Sequence, residues 1–70
     1  METKIWSKKW EEDCWTIECF AERGNIELAD LQDYVNPQQG NHIRRNGIIY
    51  YREWYLIKAH SRMLHTPIVR

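Results

Sequence analysis

The dipeptide Asn46-Gly47 constrains the fold of this chain more than any other feature of its sequence. It separates two β-favouring runs, residues 42–45 and 48–51, which are rich in Ile and Tyr. Asn-Gly between two such runs is the strongest short hairpin signal, because both residues of the turn need a positive φ. We therefore predict a β-hairpin over residues 42–51.

The residues after the hairpin predict a closing helix over 52–64. Its apolar stripe consists of Trp54, Ile57, Ser61 and Leu64, with Leu56 and Met63 nearby. Lys58 and Arg62 take polar positions, so we expect the stripe to be the packing face. Residues 65–70, which contain Pro67, are expected to form a loosely held tail.

Residues 7–23 allow two interpretations. The residues Trp10, Cys14, Ile17 and Ala21 recur at helical spacing. One interpretation is a single amphipathic helix that Ser7 caps at its start. The other starts the helix later, with Thr16 as the N-cap and Trp15 at the end of a short extended segment. Both predict that residues 17–23 are helical.

Residues 26–35 predict a second helix, since Leu28 and Leu31 share one face. The pair Asn36-Pro37 ends it, because the residue before a proline avoids the α conformation. This helix follows the first after the tight turn Gly24-Asn25, which predicts a helix-turn-helix geometry.

The order helix, turn, helix, basic hairpin, helix is that of a small winged-helix domain of the α+β class, with the hairpin as its wing. A chain of 70 residues allows one hydrophobic core. We therefore expect residues 1–70 to be one domain, with 1–14 as an N-terminal extension and 65–70 as the tail. Four Trp, four Tyr and one Phe can fill such a core.

The composition argues against catalysis and against a bound cofactor. The sequence has no glycine-rich phosphate loop and no local Ser-His-acid pattern, so we expect no enzyme. The three His are scattered, and Cys14 and Cys19 are expected to be small core residues rather than a disulfide or metal site. Without a signal peptide or a long apolar run, the chain is expected to be soluble and intracellular.

Charge is distributed unevenly along the chain although the net charge is zero. Residues 1–40 carry four Lys and Arg against nine Asp and Glu, whereas residues 41–70 carry six against one. The basic half predicts an anionic partner. The alternative is that the two halves face each other in the fold.

The tip of the predicted hairpin is the best candidate for a binding site. Arg44, Arg45 and Asn46 can enter a minor groove or clamp phosphates of double-stranded DNA, and Arg52 and His42 can add to the contact. The alternative is that these side chains keep an edge strand from aggregating.

The second helix has an acidic outer side, which carries Glu27, Asp30 and Asp33. Gln32 is the one residue there that suits adenine readout. Because carboxylates repel phosphates, three alternatives stay open. The helix docks by its tip only, the domain uses its wing alone, or the partner is not DNA.

Two tryptophans, Trp6 and Trp10, precede these motifs. We expect them either to pack over the closing helix or to form an exposed patch for a protein partner, because Trp is enriched at interface hot spots. The later aromatic run consists of Tyr50, Tyr51, Trp54 and Tyr55. It suggests base stacking, although its spacing is more typical of a core.

Three segments resemble those of the small temperate-phage excisionases. Residues 15–23, Trp-Thr-Ile-Glu-Cys-Phe-Ala-Glu-Arg, look like the opening helix of that family. Residues 27–35, Glu-Leu-Ala-Asp-Leu-Gln-Asp-Tyr-Val, are similar to its second helix. Residues 43–53, Ile-Arg-Arg-Asn-Gly-Ile-Ile-Tyr-Tyr-Arg-Glu, look like its wing. The order of the three segments carries the resemblance.

This resemblance implies a winged-helix accessory protein that bends attachment-site DNA and directs an integrase toward excision in the cytoplasm of a bacterial host. It also implies cooperative binding to adjacent sites and contact with the integrase. Carried onto this chain, the wing contacts fall to Arg44, Arg45 and Asn46, and the major-groove contacts chiefly to Gln32.

A second hypothesis is a small phage-type inhibitor or adaptor that binds a phage or host protein. It uses the acidic N-terminal half together with Trp6 and Trp10, and it requires that one of these indoles be exposed. The DNA-binding hypothesis requires instead an affinity that falls steeply with salt.

Overall fold

The computed structural model describes residues 4–65 as a four-stranded antiparallel sheet with three helices. The elements in chain order are β1 (Lys4–Ser7), β2 (Glu12–Trp15), α1 (Ile17–Arg23), α2 (Leu28–Gln32), β3 (His42–Arg45), β4 (Ile48–Arg52) and α3 (Glu53–His65). The strand order across the sheet is β1-β2-β4-β3. The chain is a small α+β domain, as predicted. Of the predicted tail, His65 ends α3, and residues 66–70 lie outside the described part.

The predicted N-terminal extension contains a β-hairpin. β1 pairs antiparallel with β2, which places Ile5 opposite Cys14. A turn over residues 8–11 joins them, and the buried Ser7 hydroxyl accepts a hydrogen bond from the Trp10 backbone N–H at 3.1 Å. The prediction of one helix over residues 7–23 is therefore wrong.

The later start of the first helix is confirmed. Thr16 has an extended backbone, and its hydroxyl accepts a hydrogen bond from the Cys19 backbone N–H at 3.2 Å. Because Trp15 is the last residue of β2, the strand passes into α1 through this single cap residue. At the other end the N–H of Gly24 bonds the carbonyl of Phe20 at 3.0 Å.

The second helix is shorter than predicted. α2 has five residues, and the segment after it continues through single turns, with the Tyr34 N–H bonded to the Leu31 carbonyl at 2.9 Å. The Leu31 side chain is fully buried. A helix of five residues is too short to be stable alone, so this packing stabilises α2. Val35 is buried beyond the end of the helix.

The predicted central hairpin is confirmed. β3 pairs with β4 from His42 opposite Tyr51 to Arg45 opposite Ile48. The turn residues have the positive φ values that the sequence requires, 52° at Asn46 and 77° at Gly47. β4 runs directly into α3, so the last helix begins one residue later than predicted.

The packing face of α3 is opposite to the predicted one. Leu56 and Ala59 are buried, whereas Trp54, Ile57 and Leu64 are 46%, 54% and 65% exposed. Leu56 and Ala59 recur at the same three-residue step as Trp54 and Ile57, so the periodicity alone fits either face. No helix within residues 4–65 is both long and apolar enough to cross a bilayer.

The sheet carries a hydrophobic cluster on each face. The main cluster contains Trp15 and Tyr51 from the sheet, packed with Ala21, Leu31 and Leu56 from the three helices. The second cluster contains the buried residues Ile5, Cys14 and Tyr50, with Trp10, Ile43 and Ile48 packed against them. Successive strand residues point to opposite faces, so the helices cover one face and the second cluster forms the other.

We expect the free energy of unfolding to fall as the pH rises from 9 to 11. Burial raises the pKa of the Cys14 thiol from 9.0 to about 11, and the nearby Glu12 carboxylate adds to this effect. In that window the unfolded thiol loses its proton while the folded one keeps it, which favours unfolding. Burial also raises the pKa of Tyr51, which acts in the same direction.

Urea titrations under reducing conditions at several pH values measure this effect. Cys14→Ala should flatten the decline between pH 9 and 11 without abolishing it, since Tyr51 still contributes. A decline of equal steepness in Cys14→Ala and in the wild type would contradict the assignment to this thiol.

Candidate nucleic-acid interface

The tip of the β3–β4 hairpin presents three exposed polar side chains, those of Arg44, Arg45 and Asn46. Arg44 pairs with Ile49 and Arg45 with Ile48, so the two arginines lie on opposite faces of the ribbon. The sequence has no Asp or Glu between positions 33 and 53. The tip is therefore a narrow cationic projection with one guanidinium on each face.

His42 lies at the other end of β3 and contacts the loop before it. Its Nδ1 atom is 2.8 Å from the Gln38 carbonyl oxygen and 2.9 Å from Asn41 Oδ1. Its ring centroid is 6.3 Å from that of Tyr51. The structure therefore does not place His42 with the arginines of the tip.

Arg52 also lies away from the tip and connects three parts of the fold. Its Nε donates to Glu12 Oε1, and its Nη1 donates to the Gly40 carbonyl at 3.4 Å. Its guanidinium carbon lies 4.4 Å from the ring centroid of Trp10 and 5.6 Å from that of Trp54. We call Arg52, Glu12 and the two tryptophans the Arg52 clasp.

The second helix presents Gln32, its last residue, to solvent. Glu27 and Asp33, at the two ends of the helix, are also exposed, and Asp30 is half-buried. A helix of five residues spans about 7 Å. The polar surface of α2 is thus small and mostly acidic.

The two N-terminal tryptophans differ in exposure. Trp6 is 60% exposed on β1, the edge strand of the sheet. Trp10 is half-buried against the second cluster, with Lys9 Nζ 5.4 Å and the Arg52 guanidinium 4.4 Å from its ring centroid. The expectation that both pack over the closing helix is wrong, because Trp6 is mostly exposed and Trp10 packs against the second cluster, on the face of the sheet that the helices do not cover.

The later aromatic run is divided between core and surface. Tyr50 and Tyr51 are buried, one in each cluster, which confirms the core interpretation for them. The Tyr55 hydroxyl accepts from the Asn36 N–H at 2.9 Å and donates to the Asn36 carbonyl at 3.0 Å. Trp54 alone of the four is classed as exposed.

A cleft of about 250 Å³ lies between the loop before β3 and the outer side of α3. It is lined by Gln38, Gln39, Gly40, Asn41, Trp54, Tyr55, Lys58 and Arg62. We call it the α3 cleft. Sequence reasoning missed it because loop and helix are brought together only by folding. The available signal was the spacing of Trp54, Lys58 and Arg62, which recur every four residues along one helix face.

No group of three His, Cys, Asp or Glu side chains within residues 4–65 is placed to hold a metal ion. The two cysteines are free thiols in the structure, Cys14 buried and Cys19 half-buried. A comparison of the chain with protein-family models, with curated proteins and with solved structures finds no match.

Proposed function

We propose that the protein is a small DNA-binding accessory protein of the excisionase type, with a winged-helix arrangement in which the β3–β4 hairpin is the wing. The observation that carries this proposal is the exposed cationic tip formed by Arg44, Arg45 and Asn46. α1 and α2 correspond to the helix-turn-helix, α3 closes the domain, and the β1–β2 hairpin is an addition to it.

The shape of the tip suits a groove of duplex DNA. The minor groove is flanked by two rows of phosphates, and a ribbon with a cation on each face can contact both. The positive φ at Asn46 and Gly47 keeps the tip narrow. Phosphate contacts of this kind position a protein on DNA without reading its sequence.

Outside the hairpin tip, the proposal assigns few contacts with DNA. Gln32, at the exposed end of α2, is the residue that can reach a base edge. The carboxylates of Glu27 and Asp33 keep the rest of α2 away from phosphates. Bending of attachment-site DNA, cooperative self-association on it, contact with an integrase and a location in the bacterial cytoplasm are part of the proposed role.

Removal of the two tip arginines should abolish most of the binding to duplex DNA. We expect the wild-type protein to bind a random-sequence duplex with a Kd of about 1–100 µM. Arg44→Ala/Arg45→Ala should weaken it at least about tenfold and reduce the slope of log K against log salt by about 1.8, since each lost phosphate contact removes about 0.9. Fluorescence anisotropy between about 50 and 200 mM salt measures both quantities.

The matched control is Lys8→Ala/Lys9→Ala, which removes the same charge from the exposed turn between β1 and β2. It should leave affinity within about twofold, a difference of about 0.4 kcal/mol. An equal loss in both double variants would show that only net charge matters. Absence of wild-type binding at low salt would overturn the proposal.

The exposed indole of Trp6 favours a second candidate function, that of a protein-binding inhibitor or adaptor. An indole that is 60% exposed on an edge strand, beside the ion pair of Lys4 with Asp13 at 3.7 Å, offers an apolar anchor with a polar rim. Under this candidate Trp6→Ala abolishes capture of a phage or host protein, and Arg44→Ala/Arg45→Ala does not.

A further inference from the structure

One wall of the α3 cleft is fixed by hydrogen bonds before any ligand binds. Asn41 is 5% exposed, and its Oδ1 accepts from the Gln38 N–H at 2.8 Å. Its Nδ2 donates to the Asn36 carbonyl at 3.1 Å, and the Tyr55 hydroxyl bridges both backbone atoms of Asn36. The loop is therefore tied to α3, and the cleft requires little ordering on binding.

The indole of Trp54 lies in this cleft with nearly half of its surface exposed. The Arg52 guanidinium lies 5.6 Å from its ring centroid, and the Tyr55 ring meets it edge-on with centroids 6.1 Å apart. These contacts hold the indole in place while it remains accessible. An accessible aromatic ring of fixed orientation is a stacking platform for a flat ligand.

Two cations follow Trp54 along the same face of α3. Lys58 and Arg62 are one and two turns further, steps of about 6 Å each, and both are exposed. Neither forms a salt bridge with an acidic side chain among residues 4–65. No Asp or Glu among residues 4–65 lines the cleft. The unneutralised charge favours an anion with two charged groups.

A single strand of DNA offers these features in the required order. It carries a base whose faces are free and a regular row of phosphates, whereas a base inside a duplex is stacked on both sides. Gln38 and Gln39 on the opposite wall can donate to and accept from base edges. The cleft volume of about 250 Å³ admits one nucleotide unit rather than a helix of DNA.

We propose that the α3 cleft binds an unpaired nucleotide of single-stranded DNA, with its base stacked on Trp54 and neighbouring phosphates held by Lys58 and Arg62. The inference deepens the proposed DNA-binding function, because it gives the protein a site for unpaired DNA separate from the wing. Duplex DNA contacts the tip of the β3–β4 hairpin, and a separated strand contacts α3.

Binding of fluorescein-labelled dT4, followed by anisotropy, tests the proposal. Trp54→Ala should weaken binding about tenfold or more, since one stacked base is worth that much, and Trp6→Ala, which removes another exposed indole, should change it less than twofold. Lys58→Ser/Arg62→Ser should lower the salt slope by about 1.4, or about 0.7 for each phosphate on a single strand. Lys8→Ser/Lys9→Ser should leave that slope unchanged.

An NMR titration locates the bound base directly. The chain has four indole N–H signals, and dT4 should shift that of Trp54, which Trp54→Phe identifies by its disappearance. No wild-type binding of dT4 at low salt, an equal loss in Trp6→Ala, or a shift confined to other indoles would overturn the proposal. Displacement of dT4 by dTMP at equal concentration would also overturn it, because the site would then take a free nucleotide.

The wing variant separates this inference from the proposed function. Arg44→Ala/Arg45→Ala should lose duplex binding and keep dT4 binding, and Trp54→Ala should show the reverse. A wild-type protein that binds duplex but not dT4 refutes only the inference. One that binds dT4 but not duplex refutes the proposed function and leaves the inference standing.

Discussion

Leu56→Ala should destabilise the protein by about 3–5 kcal/mol, whereas Leu64→Ala should change its stability by less than about 0.5 kcal/mol. Both substitutions remove the same atoms from the same helix. Leu56 is fully buried between α3 and the sheet, and Leu64 is 65% exposed. Since a domain of this size has a total stability of only about 5 kcal/mol, Leu56→Ala should retain no more than about 2 kcal/mol of it and be partly unfolded at 37 °C.

Urea denaturation followed by tryptophan fluorescence measures the two variants side by side. The pair also tests the orientation of α3, because the apolar stripe predicted from the sequence places Leu64 on the packing face. Comparable losses in the two variants, or a greater loss in Leu64→Ala, would contradict the orientation of the helix.

Arg52→Ala should cost about 2–3 kcal/mol of unfolding free energy, although the residue is an arginine in a basic hairpin. The substitution leaves the Glu12 carboxylate without its ion-pair partner while its side chain is only 26% exposed. It also removes the guanidinium that lies against the rings of Trp10 and Trp54. The substitution thus removes one side chain that contacts both the first hairpin and α3.

Two further variants serve as comparisons for Arg52→Ala. Arg44→Ala removes an arginine from the exposed tip of the same hairpin and should cost less than about 0.5 kcal/mol. Arg52→Lys keeps the charge but lacks the planar guanidinium that contacts Glu12 and the two rings. Its loss of unfolding free energy should therefore be intermediate. Equal stability of Arg52→Ala and Arg44→Ala would show that the clasp contributes nothing.

The parts of the fold that sequence predicted have local signals. Asn46-Gly47 determines its turn through the φ values of those two residues, whatever surrounds them. Thr16 caps α1 through a hydrogen bond to a residue three positions later. The exposed arginines of the candidate interface were predictable for the same reason, since they flank the turn.

The parts that sequence missed depend on distant residues. Glu12 fits the first turn of a helix when only its neighbours are considered, but its partner is Arg52, forty residues later. The choice between two apolar faces of α3 is made by the sheet beneath Leu56. His42 was expected at the interface, but its ring contacts the Gln38 carbonyl in the loop before β3. That loop takes its position only when the chain folds.

The pairing of β2 with β4 has a consequence for the order of folding. Each hairpin closes a short loop, which takes about 1–10 µs, but β2 and β4 join residues about half the chain apart through only two registered pairs. Closing that long loop costs conformational entropy before the contacts between β2 and β4 can offset it. We therefore expect the two hairpins to form first and the pairing of β2 with β4 to be the slow step. The Arg52 clasp combines Trp10 and Glu12 of the first hairpin with Arg52 of the second. Its contacts therefore form in the step that joins the two hairpins into a single sheet.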